Sequence, residues 1–304
     1  MLTNYFIPPD TALSAFVDNY ILCTSGEDMV SFNSYRPASN ETSLVFYLRD
    51  QPKHYGADAK NFSLQDKQHC IIGLLTRRNG IVSFKGRYHT FIIHFRANGF
   101  NAIFHFPMNE LTDKIYCAAD VLGKRASFLR EQLQHAPNVQ QMACIADQIL
   151  LSFLNNHTRD NFLPDGISPI SRMLYNQPNL LTIRQYAYKA NMSIRNFQRR
   201  FTEQVGIPPK LYLKFMRFNE VIKLKIMQPE LSWTAIACSC AYFDQTHLIK
   251  DFKQFTGFTP VDFFKNPHLK LPRIDVAEPN ENTFRAFNNK LPEERVVFVK
   301  RRNL

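Results

Sequence analysis

Long apolar runs are missing from this 304-residue chain: none approaches eighteen residues, so no membrane-spanning helix is expected. The opening Met1-Leu2-Thr3-Asn4-Tyr5 lacks the basic segment and apolar core of a secretion signal, and a cytoplasmic location is expected. Paired cysteines are missing too. Cys23, Cys70, Cys117, Cys144, Cys238 and Cys240 are scattered, and Cys238-Ser239-Cys240 is not a Cys-x-x-Cys pair. They read as small core or near-core thiols in a reducing compartment, without a pattern for redox sensing or alkyl transfer. Tryptophan occurs once, against 27 phenylalanines. Apolar residues make up 45% of the chain, which excludes a disordered polypeptide and leaves room for two cored domains.

Charge is unevenly distributed. The net charge of +11 divides into +1 over 1–180, +7 over 181–265 and +3 over 266–304. The basic excess therefore lies where a polyanion would dock, and by itself it suits DNA, RNA or an acidic membrane surface.

That basic region contains an internal repeat. Ser193-Ile194-Arg195-Asn196-Phe197-Gln198-Arg199-Arg200-Phe201 aligns with Asp244-Gln245-Thr246-His247-Leu248-Ile249-Lys250-Asp251-Phe252 at a shift of 51 residues. The same shift places Gly206 on Gly257 and Pro209 on Pro260, whereas Tyr186-Ala187 meets Ile236-Ala237 at 50. The second copy thus carries one extra residue in its turn. Ser193 and Asp244 suit helix N-caps, their side-chain oxygens accepting from open backbone N–H groups. Ile194, Phe197, Phe201 and Val205 recur at helical spacing, as do Leu248, Phe252 and Phe255, so each helix has an apolar face and a polar one. One basic helix face is usually just solvated. Two in register point to a pair of helix-turn-helix units.

These residues resemble the AraC/XylS family of bacterial transcription regulators. The motif is carried by Ala187, Ser193, Phe197, Gln198, Arg199, Phe201, Gly206 and Pro209. In the second copy it is carried by Ile236-Ala237, Phe243-Asp244-Gln245-Thr246-His247-Leu248, Phe252-Lys253, Gly257-Phe258-Thr259-Pro260 and Phe264. Two departures fall in the turns, where the family's glycine is replaced by Asn191 and by Ala241-Tyr242. Resemblance and face geometry together give Arg195, Gln198 and Arg199 as base readers of one groove, and Gln245, Thr246, His247 and Lys250 of the next. Arg200, Lys210, Lys214 and Lys253 are expected on phosphates. The stretch from Pro209 to Met227 reads as one helix joining the units. Its roughly 27 Å suits two helices set one DNA turn apart.

Residues 1–110 read as mainly β. Ser43–Leu48, Cys70–Leu75, Gly80–Lys85 and Thr90–Phe95 are short runs of strand formers separated by turn signals, which suggests a small barrel or sandwich. The resemblance implies a cupin-like barrel here. A metal cupin would need convergent ligands, yet His54, His69, His89, His94 and His105 form no His-x-His with a following Glu. No metal or cofactor is expected. Gly99–Pro107, Ala118–Gln134 and Val139–Leu154 read as helices, suited either to a homodimer contact or to packing within the chain.

The expected architecture is α+β. It comprises a β-rich effector or dimerisation domain over 1–157, a linker over 158–166, a double helix-turn-helix domain over 167–266 and a basic tail over 267–304. In that tail Val296–Val299 is the one segment suited to a strand. The expected function is a sequence-specific transcription regulator, an activator under a small effector. Its partners are double-stranded DNA, RNA polymerase and a second copy of the chain, with no membrane and no catalysis. Two rivals stand beside it: a DNA-binding domain fused to a metal-cupin or alkyl-transfer enzyme, and a general architectural binder of nucleic acid.

Overall fold

Period-two patterning decides the first half of the molecule. The computed structural model describes residues 2–55, 67–158, 166–176, 181–266 and 294–298. Its strands are β1 (Leu2–Ile7), β2 (Val17–Thr24), β3 (Val30–Tyr35), β4 (Thr42–Tyr47), β5 (Lys53–Tyr55), β6 (His69–Ile72), β7 (Ile81–Gly86), β8 (His89–Phe95), β9 (Ile115–Cys117) and β10 (Glu294–Phe298). They form a seven-stranded sheet in the order β10-β1-β2-β8-β4-β6-β9 and a three-stranded sheet, β3-β7-β5. Pairing is antiparallel except between β1 and β10. All four predicted strands are present. β1, β2, β3, β5 and β9 are additional, because polar residues interrupt them or because they span only three residues.

Strand β4 is buried along its whole length, since both of its faces are covered. Leu44 and Phe46 enter one apolar cluster with Phe91, Ile93 and Ile71, and Val45 and Tyr47 enter another with Cys70, Ile72 and Ile115. Helices α1 (Gly99–Phe104), α2 (Met108–Leu111), α3 (Ala119–Leu122), α4 (Lys124–His135) and α5 (Val139–Thr158) follow. The stretch expected as one helix over Ala118–Gln134 is two, broken where Gly123 takes a positive φ of 60°. Leu129, Leu133, Met142 and Leu150 are buried against the large sheet, so packing within the chain accounts for them. Phe128 of α4 is exposed. Asp147 of α5 ties the layer down, accepting from the Tyr20 hydroxyl at 2.8 Å and the Asp10 amide at 2.9 Å.

The second half is helical: α6 (Ile167–Asn176), α7 (Ile183–Lys189), α8 (Ile194–Val205), α9 (Pro209–Met227), α10 (Trp233–Ser239), α11 (Gln245–Thr256) and α12 (Pro260–Lys265). Phenylalanine builds much of its core. Phe215 and Phe218 of α9 pack on Phe255 at 4.3 and 5.0 Å between ring centroids, and Phe252 meets Phe218, Trp233 and Phe263. The expected linker falls largely on residues 159–165, outside the described residues. So does most of the tail, although Glu294–Phe298 does form a strand, β10, beside β1.

The halves are joined by packing as well as by chain. Ala38 and Leu74, from the β half, belong to the apolar core of the helical half. The Ala38 amide donates to the Phe255 carbonyl at 2.8 Å. Thr112 donates to the Gly206 carbonyl at 2.7 Å, and Asn219 of α9 donates to Asn40 at 3.2 Å.

Candidate nucleic-acid interface

Each unit is assembled by the same local chemistry. Helices α7 and α8 make the first and α10 and α11 the second. The leading helices begin on Thr182 and Ser232, each accepting from the amide three residues on, and Thr182 forms a full capping box with Gln185. The second helices begin on Ser193, which accepts from the Asn196 amide, and on Asp244, which accepts from the His247 amide at 2.8 Å. That amide bond, reinforced by the His247 side chain, holds the Asp244 carboxyl below its usual range. Both second helices end on a left-handed glycine, Gly206 with φ 99° and Gly257 with φ 81°.

The turns show where the repeat shifts from 50 to 51. Asn191 and Ala241 both adopt left-handed backbone, φ 52° and 55°. The next residue folds back in each, the Met192 amide donating to Ala187 and the Tyr242 amide to Ala237. Met192 and Tyr242 are therefore equivalent, and so are the caps Ser193 and Asp244. The extra residue of the second unit is Phe243. It is 92% exposed, a position that the sequence reading of base-contacting residues did not include. The pair of offsets marked the insertion in the sequence, but the buried or exposed state of each residue in the turn was needed to single out Phe243.

The sequence-predicted readers fall on open faces. Arg195, Gln198 and Arg199 are exposed along α8, opposite buried Phe197, Phe201 and Val205. Arg199 leans on its own helix, reaching Asn196 at 3.2 Å and Glu203 at 3.4 Å. Thr246, His247 and Lys250 are exposed on α11. Gln245 is half-buried and accepts from Thr234 of α10 at 2.8 Å, so it also pins the two helices of its unit together.

Among the expected phosphate contacts, Lys210 and Lys253 are exposed and Arg200 is half-buried. Lys214 is placed differently. Its Nζ lies 2.8 Å from Asp251 and 2.9 Å from Gln254, and 5.8 Å from the Phe255 ring centroid. It braces α9 against α11.

Neither second helix stands alone. Helix α8 packs against α1 and α2 of the β half as well as α6, α7 and α9. At the end of α11, Phe258 meets Tyr35 edge-on at 5.9 Å, and Arg78 lies over the Phe258 ring. The β half therefore meets both helices at their C-terminal ends, at Gly206 and Phe258, and their N-terminal ends lie about 18 Å away along the axis.

Thiol and histidine chemistry is muted. Burial pushes the Cys70 and Cys240 thiols up to about 12, away from a reactive thiolate, while Cys238 is exposed on α10. Burial lowers His54, His69 and His89, favouring neutral rings. No three His, Cys, Asp or Glu side chains converge as metal ligands among the described residues, and no described helix is long and apolar enough to cross a membrane.

Two stretches of the chain match known families. Residues 186–266 match a helix-turn-helix domain family, and residues 5–116 match a domain of unknown function, DUF6597. An uncharacterized HTH-type transcriptional regulator of Haemophilus influenzae is 26% identical over 153 residues, 47% of this chain and 51% of the relative. The chain's match thus spans about half the length of that curated relative. Crystal structures of ToxT from Vibrio cholerae loosely resemble 81–87% of the chain. The P21 form gives a TM-score of 0.43 at 10% identity, covering 81% of this chain and 98% of ToxT. The unsaturated-fatty-acid-bound form gives 0.40 at 10%, covering 86% and 94%. CdpR from Pseudomonas aeruginosa gives 0.30 at 15%, covering 62% and 46%.

Proposed function

We propose, from its resemblance to the AraC/XylS family of transcription regulators, that this chain reads two successive major grooves of one DNA duplex with α8 and α11. The observation that carries this is the pairing of two capped helices in register, each with an open basic face and a buried aromatic one. Recognition helices touch base edges mainly through their N-terminal turns, and here those turns carry exposed Arg195, Thr246 and His247. The 19-residue α9 is roughly 28 Å long. That length suits a strut between sites about 34 Å apart.

In this reading Arg195 and Arg199 donate to guanine O6 and N7, and Gln198 pairs with adenine, as their donor and acceptor patterns favour. Thr246, His247 and Lys250 read the second groove, with Gln245 at its edge. Arg200, Lys210 and Lys253 neutralise phosphates and set affinity without sequence information. Lys214 is assigned a positioning role instead.

The protein acts as an activator that recruits RNA polymerase, as a homodimer, under a small effector bound to the β half. Contacts from that half to both second helices give an effector a direct route to their geometry. A cavity of about 150 Å³ lies beside this junction, lined by Asp18, Glu41, Arg96, Arg172 and Tyr175, among others. Titration of random and selected duplexes at two salt concentrations tests the DNA reading. Tighter binding to the selected duplex at both salts supports it, and equal affinity for the two favours an architectural binder.

A further inference from the structure

We propose that Phe243 is a base-reading residue, and that it reads the C5-methyl group of a thymine in the second groove. The proposal rests on the reading that α11 enters the major groove. Phe243 is the residue inserted in the second unit, without a counterpart between Met192 and Ser193 of the first. The turn fixes its direction. Tyr242 before it is buried, with the Arg217 guanidinium 5.2 Å from its ring centroid, and Asp244 after it caps α11. Phe243 is turned out where Tyr242, only 8% exposed, is turned in.

Its ring stands edge-on to His247, 5.8 Å between centroids, over the first turn of α11. Among the described residues it is the most exposed large apolar side chain. Covering that ring against an apolar group of a partner would be favourable. Here the surroundings define that partner: Thr246, His247 and Lys250 make the adjoining face polar and basic. The complementary surface must be anionic and polar, yet offer one apolar knob. The major groove of DNA is such a surface, and the thymine methyl is the apolar group that its base edges present.

The test uses the full chain on its selected duplex, with each thymine replaced singly by deoxyuridine so that only the methyl is lost. For the wild-type chain, one replacement should weaken binding roughly four-fold, the worth of one buried methyl. Phe243→Ala should bind the parent duplex correspondingly more weakly and show no response to that replacement. Phe243→Leu should recover part of both. A wild-type chain indifferent to every replacement overturns the proposal while leaving the DNA reading intact. So does a Phe243→Ala chain that keeps the wild-type response, in which case the ring faces a protein partner or none. Failure of the wild-type chain to prefer any duplex overturns both, and circular dichroism of Phe243→Ala separates misfolding from a lost contact.

Discussion

Gly206 and Gly257 hold the same place in the two units, 51 residues apart, and each lies against the β half of the molecule. A Cβ added to Gly206 would come within 2.8 Å of Thr112 Oγ1 and 3.1 Å of the Met108 carbonyl. The atoms nearest to one added to Gly257 belong to the Arg78 side chain, at 3.0 Å. Both have positive φ, so alanine is strained at either position. Gly206→Ala should therefore cost about 1–2 kcal/mol from backbone strain, plus a steric increment that Gly257→Ala lacks because an arginine chain can move aside. Urea unfolding of the two variants measures the difference; equal losses would mean that the Thr112–Gly206 junction yields easily.

Ala241 offers the opposite change. It occupies left-handed backbone that favours glycine, and the equivalent Asn191 is a residue that tolerates it. Ala241→Gly should stabilise the chain by roughly 0.5–1 kcal/mol, the relieved strain being partly offset by the entropy of a freer unfolded chain. A lowered unfolding midpoint would show that the turn is held by the Arg217 contact to the Ala241 carbonyl and to the Tyr242 ring more firmly than its φ implies.

Two lysines on the helical half should separate cleanly. Lys253 is exposed, and Lys253→Ala should reduce the slope of log affinity against log salt by about 0.9, one phosphate contact. Lys214 is paired with Asp251, whose side chain is only 12% exposed. Lys214→Ala should leave that carboxylate uncompensated and cost roughly 1–3 kcal/mol of stability, with the salt slope unchanged. A changed slope for Lys214→Ala would return that lysine to the phosphate contacts.

Acid should weaken the β half in the histidine range. His54, His69 and His89 are all lowered below 6.5 by burial. The unfolded chain then takes up protons at higher pH than the folded one. Their contribution is fully present above about 6.5 and is lost as the pH falls through that value towards the folded ones. The urea midpoint should drop between pH 7.5 and pH 5.5, and less steeply for His89→Gln. A midpoint that rises on acidification would contradict the burial of these rings.

Much of the helical half was legible because its signals are local. Caps at Ser193 and Asp244, prolines at the start of α9 and α12, and apolar spacing along α8 and α11 are all written within a few residues of each other. α9 has the expected bounds for the same reason. Strands such as β3 and β9 were not legible, since Val30–Tyr35 and Ile115–Cys117 become strands only by pairing with β7 and β6, far off in sequence. The helix pair α3 and α4 was merged because the apolar spacing runs on through Gly123. In the site, exposure of Arg195, Gln198 and Arg199 follows from helical period. The ion pair of Lys214 does not, because Asp251 belongs to a helix that touches α9 only in the folded chain, and the exposure of Phe243 depends on which way a turn rolls.

The central claim, two capped helices entering adjacent grooves, is tested most directly by selecting preferred sites from random duplex DNA with the full chain. The expected outcome is two enriched blocks with centres about 10 base pairs apart. Arg199→Ala should relax one position in a single block and weaken binding there by about 1–3 kcal/mol. A single enriched block, or no enrichment over random sequence, would contradict the account.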